Sequence, residues 1–320
     1  MALKTGCVIP CHKGNNKTIS IVEQTLKYVD IVVFIDDKCP FETGKVVNKN
    51  IVDNERLKII YNSFNLGVGG SCKVGFNYLL EKRCDIILKI DADGQMNPHF
   101  IPKFIDAIKN NEAEAVKGNR FTNLKNIKGM PTIRLIGNLG LSFLNKISTG
   151  YWELFDPTNG FIALKSNIFD EIELNKIDNK YFFESDLLFQ CALANKYFAQ
   201  IPMPSLYADE ISSLKPIKEI FRFFTKHLKN FTKRIIYQYF LLDFNVGSID
   251  LIGFLILITT SIFLYLRLLI RGFYMSLYAT PGEANLISIL VIISTQLFLG
   301  FIYFDSTQKP LFRKINKHLK

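Results

Sequence analysis

The chain has 320 residues, room for about two domains, with 39 Lys+Arg against 29 Asp+Glu, a formal charge of +10 and 48% hydrophobic residues. That composition can bury a large core, which excludes an intrinsically disordered chain. The 21% of charged residues need water or partners, so a wholly membrane-embedded protein is excluded as well, and the chain is expected to be part soluble and part membrane.

Up to about residue 210 the pattern alternates. Gly6 to Pro10, Ile31 to Ile35, Leu57 to Tyr61, Ile86 to Ile90 and Ala115 to Gly118 are short apolar or β-branched runs. Helical patterns lie between them, over Lys17 to Tyr28, Gly69 to Lys82 and Pro98 to Asn110. This alternation predicts a parallel α/β sheet with crossover helices, whose ligands belong at the carboxyl ends of the strands. Cys7, Cys11, Cys39, Cys72, Cys84 and Cys191 show no CxxC spacing and follow no signal peptide, so they read as reduced cytosolic thiols. Cys7, Cys11 and His12 share a strand end, but no second ligand pair follows to complete a zinc site.

Pro216 to Ile236 carries Ile217, Ile220, Phe221, Phe224, Leu228, Phe231 and Ile235 at helical spacing, with Lys218, Arg222, Lys226, Lys229 and Lys233 on the other side. Such a basic amphipathic helix suits an anionic membrane surface; the alternative is a helix packed on its own domain with a solvated basic face. Ile249 to Ile270 and Leu286 to Phe304 are long and apolar enough to span a bilayer, with Asp250 and Arg267 near the ends of the first. Lys and Arg concentrate before the first span and after the second, which predicts that both flanks are cytoplasmic. The expected organisation is a catalytic domain over 1–212, basic juxtamembrane helices over 213–246, two transmembrane helices over 247–306 and a basic tail over 307–320.

The sharpest chemical signal is Lys89-Ile90-Asp91-Ala92-Asp93-Gly94-Gln95, where a strand ends in convergent oxygen ligands. Mg²⁺ takes one or two such carboxylates plus substrate phosphates. Asp36-Asp37 holds the equivalent place after the second strand and can accept hydrogen bonds from a nucleotide, or simply make a solvated turn. Asn65-Leu66-Gly67-Val68-Gly69-Gly70-Ser71 opens a helix after the third strand and can bring backbone N–H groups near a phosphate. It fails GxGxxG because Cys72 stands at the last glycine, and it lacks the GK[ST] of a P-loop.

Taken in order, the Ile-Pro strand end, Asp36-Asp37, the Asn65–Ser71 segment, Asp91-Ala92-Asp93-Gly94-Gln95, Lys117-Gly118-Asn119-Arg120 and Asp156-Pro157-Thr158-Asn159-Gly160-Phe161 resemble the family 2 glycosyltransferases with the GT-A fold. Within that family the chain looks like the dolichyl-phosphate mannose synthase and polyprenyl-phosphate glycosyltransferase branch. The resemblance covers roughly residues 4–245 and implies a GT-A α/β catalytic domain followed by a transmembrane hairpin. It implies that Asp91, Asp93 and Gln95 form a Mg²⁺ or Mn²⁺ and diphosphate site. The nucleotide-sugar pocket would be lined by Pro10, His12, Asp36, Asp37, Asn65, Gly67, Asp91, Ala92 and Asp93. Arg120 and Arg134 would face an acceptor phosphate. Where many relatives carry an aromatic residue, Asn and Glu, this chain has His12, Lys13 and Gly14.

The implied activity is inverting transfer of a sugar from a UDP- or GDP-hexose to a polyprenyl or dolichyl phosphate on the cytoplasmic leaflet. A phosphate acceptor is already anionic and needs no strong general base. Transfer to the hydroxyl of a lipid-linked or polysaccharide glycan is the alternative, and would draw on Glu184 or Asp186 as base; the same two carboxylates also suit the first turn of a helix. A catalytically silent membrane scaffold would leave the acidic turn unexplained. No nucleic-acid motif accompanies the positive charge, and whether the chain forms a homo-oligomer stays open.

Overall fold

The computed structural model describes residues 3–52, 54–122, 132–204 and 216–307, with backbone alone at 133–134 and 216–220. The chain divides into two compact units, one running to Asn230 and one spanning Phe231–Lys309. The first unit holds a seven-stranded sheet of order β3-β2-β1-β4-β6-β5-β7. Its strands are β1 (Thr5–Cys11), β2 (Ile31–Asp36), β3 (Leu57–Tyr61), β4 (Ile86–Lys89), β5 (Ala115–Asn119), β6 (Ile162–Lys165) and β7 (Phe198–Pro202).

β3, β2, β1 and β4 run parallel, as the alternating pattern predicts. The sheet as a whole is mixed, which corrects the all-parallel expectation: β6 lies antiparallel between β4 and β5, and β7 is parallel to β5. Ile162, the first residue of β6, pairs with Lys89 and Lys117 near the last residues of β4 and β5. The chain therefore enters β6 from the carboxyl edge and carries the segment 156–161 directly onto it. Four residues, Ile-Ala-Leu-Lys, contain no sign of strand direction; only the return path from α5 (Thr132–Thr149) sets it.

Successive side chains of β1 face opposite sides of the sheet. Cys7 and Ile9 join a core with α1 (Thr18–Leu26), α2 (Thr43–Asn50) and α4 (Ile101–Lys109), where Phe104 stacks on Phe161 at 4.1 Å. Val8 joins a second core with α3 (Gly67–Glu81), α6 (Ile168–Glu171) and α7 (Phe183–Leu193). At Gly75 a Cβ would come within 2.4 Å of Val8, so α3 seats against β1 only through a glycine. All six cysteines are buried and unpaired.

α8 (Pro216–Ile236) crosses from one unit into the other in sequence. Within the first unit it packs His227, 2% exposed, edge-on to Phe182, with His227 Nδ1 2.8 Å from Ser148 Oγ. In the second unit α9 (Val246–Met275) and α10 (Pro281–Thr307) are long and apolar enough to cross a membrane. Asn245 and Ser248 cap α9 reciprocally. Arg234 makes a bidentate pair with Asp305 (2.6 and 3.0 Å), to which Tyr239 adds its hydroxyl at 2.6 Å. The tail beyond Thr307, with its predicted basic residues, lies outside the described residues.

Burial pushes the His227 imidazole down to about 4, so the folded chain keeps it neutral where the unfolded chain would protonate it. Its contribution to stability is complete above pH ~6.5 and is lost as pH falls toward about 4, at about 1.4 kcal/mol per pH unit. Thermal melts of the detergent-solubilised full chain should show this acid-side loss in the wild type and a shallower one in His227→Phe; parallel melting curves would remove His227 as the cause.

Candidate active site

The carboxyl edge of the sheet gathers most of the residues singled out by sequence. β1 ends at Pro10 and Cys11 beside Asp36 of β2, and β4 ends at Lys89, two residues before Asp91. The turn after β4 is clamped from below: Thr18 Oγ1 donates to the Ala92 carbonyl (3.1 Å), Asn15 Nδ2 donates to the Asp93 carbonyl (2.9 Å) and the Gln95 N–H donates to Asp93 Oδ1 (2.9 Å). Gly94 takes φ of +83°, the left-handed region that glycine enters without a Cβ clash. Asp91 and Asp93 are both half-buried.

Lys89 organises this edge, and the sequence reading assigned it no role. It has no exposed side-chain surface, and its ammonium reaches Asp91 Oδ1 at 2.7 Å and Glu184 Oε1 at 2.9 Å. Burial works against the charged form, but the Asp91 and Glu184 carboxylates outweigh it and raise the pKa above that of an ordinary lysine. The contact requires Gly160: a Cβ there would lie 2.2 Å from Asp91 Oδ2 and 2.4 Å from Lys89 Nζ. The signal available in sequence was a lysine interrupting the buried run Ile86-Ile87-Leu88.

A second buried lysine, Lys117 on β5, donates to the Asn159 carbonyl. Burial lowers it to about 8, against the pull of Glu184 and Asp156. Next along the strand edge, Arg120 grips the buried Asp156 through Nε at 2.7 Å and Nη2 at 2.6 Å, and its own N–H adds a third contact at 3.1 Å. Asp156 adopts φ of +61°. The guanidinium is thus oriented by a carboxylate from the same segment that supplies Gly160. Arg134 belongs to α5, but its side chain lies outside the described residues.

The acidic pair that closes β2 faces inward. Asp36 accepts from the Cys39 and Gly44 N–H groups (2.7 and 2.8 Å), and Asp37 accepts from Asn62 Nδ2 and the Leu66 and Gly67 N–H groups (2.8, 2.8 and 2.9 Å). Both carboxylates shape the loops that border the edge. Exposed His12 completes this arrangement: its Nδ1 lies 2.8 Å from the Asp37 carbonyl, which can only accept, so Nδ1 carries the proton. Asn65 Nδ2 sits 3.1 Å from Nε2, and Asn65 Oδ1 accepts from the Gly67 N–H at 2.9 Å. Gly67, at φ of +80°, and Gly69 press on the Asn179 and Asp178 carbonyls with no room for a Cβ.

Glu184 and Asp186 separate in function although two residues apart. Glu184 joins Lys89 at the edge, whereas Asp186 accepts from the Asp178 N–H (2.9 Å) and from Asn230 of α8 (2.7 Å). Burial raises the Asp186 carboxyl. Asp178 in turn is held below the usual range, against its burial, chiefly by Lys226.

Among the described residues no three His, Cys, Asp or Glu side chains cluster to cage a metal. Asp91 and Asp93 are a hard-oxygen pair on one turn, the donor set of an ion that completes its shell with substrate phosphate oxygens and water. They fit a shared Mg²⁺ or Mn²⁺ and do not fit a self-contained structural site.

Lys89→Met leaves Asp91 and Glu184 half-buried without their common counter-charge, and Gly160→Ala drives a methyl into the same contact. Breaking a buried ion pair costs about 3–5 kcal/mol. Both variants should melt earlier than the wild type and lose most activity; a Gly160→Ala protein of unchanged melting temperature and rate would show that the contact is dispensable.

A family model described as glycosyl transferase family 2 matches residues 8–173. An undecaprenyl-phosphate mannosyltransferase of Micrococcus luteus is 27% identical over 173 residues, covering 54% of this chain and 70% of that protein. A UDP-N-acetylglucosamine–dolichyl-phosphate N-acetylglucosaminyltransferase of Methanococcus voltae is 27% identical over 215 residues, covering 63% and 85%. Glucosyl-3-phosphoglycerate synthase from Mycobacterium tuberculosis, solved with Mn²⁺ and UDP-glucose, superposes with a TM-score of 0.52 at 14% identity over 73% of this chain and 79% of that one. That likeness shows the GT-A fold. With more than half of its length matched, this chain belongs to glycosyl transferase family 2.

Proposed function

We propose that the protein transfers a hexosyl group from a UDP- or GDP-sugar to a polyprenyl or dolichyl phosphate, with inversion, at the cytoplasmic face of a membrane. The observation that carries this reading is the Asp91-Ala92-Asp93 turn at the end of β4, held half-buried by Lys89 and Gly160 on the ligand-binding edge of a family 2 fold. Relatives named for undecaprenyl and dolichyl phosphate support the acceptor class.

In this mechanism Pro10, His12, Asn65 and Gly67 border the nucleoside on loops that the buried Asp36 and Asp37 carboxylates shape from within without touching it, and Asp91, Ala92, Asp93 and Gln95 meet its diphosphate. A divalent cation bound there would supply neutralisation of the charge that develops on the leaving nucleoside diphosphate. An oxygen of the acceptor phosphate attacks the anomeric carbon, and the bond to the donor's β-phosphate oxygen breaks. Arg120, oriented by Asp156, and Arg134 hold the acceptor phosphate, a task suited to the guanidinium fork. Lys89 keeps Asp91 in place and adds positive charge beneath the diphosphate. No proton has to move.

Two features support a membrane location: α9 and α10 are long and apolar enough to span, and Lys and Arg concentrate in the flanking sequence. A glycan hydroxyl as acceptor is the second reading, favoured by Glu184 at the edge. Asp186 adds little to it, because both its oxygens hold the chain.

The purified full chain incubated with a panel of UDP- and GDP-hexoses, short polyprenyl phosphates and Mg²⁺ or Mn²⁺ should yield a glycolipid identified by mass. Asp93→Ala should lower the rate by about 100-fold or more, the scale of losing one preorganised charge-stabilising group, and chelator should do the same. Transfer to soluble glycans alone would select the second reading, and a fully active Asp93→Ala protein would overturn the metal.

A further inference from the structure

Two lysines stand under the active edge with no exposed surface, and they are met very differently. Lys89 has two carboxylates on its ammonium. Lys117 makes no ion pair among the described residues, and its one hydrogen bond there goes to the Asn159 carbonyl. An ammonium has three protons to give and a buried one costs stability unless opposite charge meets it. β5 otherwise buries Ala115 and Val116 at this level, so stability alone does not account for a cation here.

What Lys117 holds is the segment that aims Arg120. Asn159 follows Asp156 and Thr158, the two side chains to which the Arg120 guanidinium donates, and Asn159 Nδ2 lies 3.4 Å from Asp156 Oδ2. Asp91 has Lys89 as its own anchor on the other side of Gly160. The charged groups that face Lys117 are Glu184 of α7, Asp156 of the segment, Lys89 of β4 and Arg120 beyond the end of β5. Both carboxylates are already paired, Glu184 with Lys89 and Asp156 with Arg120. The Lys117 charge is left without an anion of its own, and an anion arriving at Arg120 supplies one.

We propose that Lys117 is a positioning residue for the acceptor phosphate: through Asn159 and Asp156 it aims Arg120, and its ammonium is the reserve of positive charge that the incoming phosphate completes. This role rests on the reading that the acceptor is a phosphate bound at Arg120. Burial lowers the resting lysine to about 8, and a phosphate dianion nearby favours its charged form. Above that pH the acceptor therefore binds together with a proton, which moves from buffer to Lys117 Nζ while no bond of the substrate changes. By linkage, acceptor affinity falls as pH rises through the same range.

The test titrates geranyl phosphate into the detergent-solubilised full chain by calorimetry, in two buffers of different ionisation enthalpy. At about pH 8.5 the wild type should take up roughly half a proton or more per phosphate bound, and between about pH 7.5 and 9.5 its Kd should rise by roughly tenfold. In Lys117→Met the uptake should vanish and the Kd should be high already at the lower pH and flat above it, while binding of Mn²⁺ with UDP or GDP, whichever the wild type takes, stays within about twofold. Lys117→Arg, which keeps the charge at every pH, should bind without uptake and without the alkaline loss. Phosphate binding to the wild type with no proton uptake overturns the role of Lys117 and needs no variant to fold; so does uptake that persists in Lys117→Met. Either result leaves the proposed acceptor standing, whereas a wild type that does not bind geranyl phosphate at all removes the acceptor reading and this role with it.

Discussion

A fully buried ammonium, Lys89, holds the active edge together. Removing a lysine from water costs several kcal/mol unless opposite charges meet it, and here Asp91 and Glu184 both do. The same contact ties three remote pieces of sequence: the end of β4, the first turn of α7 and the 156–161 segment, where Gly160 must lack a Cβ. The reversed strand β6 makes this possible, because entering the sheet beside Lys89 and Lys117 lays that segment across the ends of β4 and β5. The position of Asp91 in the acidic turn therefore depends on a buried charge that never reaches solvent.

A second hub, Asp37, plays a similar part for the neighbouring loop. By accepting from Asn62 and from the Leu66 and Gly67 N–H groups it shapes the start of α3, while its carbonyl orients His12. Backbone carbonyls of Asp178 and Asn179 then close on Gly69 and Gly67, and Lys226 and Asn230 of α8 hold Asp178 and Asp186 from the far side. Close contacts thus run from the loop after β3 to α8 within the first unit. Within the second unit the Arg234, Tyr239 and Asp305 cluster plays the corresponding role, fastening the end of α8 to α10 through a buried bidentate pair.

Much of this was legible from sequence where the signal is local. Apolar runs located the first five strands, turn chemistry located Asp91-Ala92-Asp93-Gly94, and hydropathy located both long C-terminal helices, because each depends on residues within a few positions of one another. β6 and β7 escaped: four or five buried residues without flanking periodicity look the same as loop or helix. Asp186, adjacent in sequence to Glu184 by two residues, was grouped with it, yet a helix turns such neighbours to different faces. Pairing of Arg120 with Asp156 likewise joins positions 36 residues apart.

The amino-acid sequence by itself determined the family, the alternating α/β plan and the acidic turn, since motif order and hydrophobic period are one-dimensional properties. Tertiary structure alone decided the direction of β6, the partners of Lys89 and the inward use of Asp36 and Asp37. Each of those depends on which distant groups meet when water is excluded, and burial turns a lysine or a serine from a surface residue into a constraint on its neighbours.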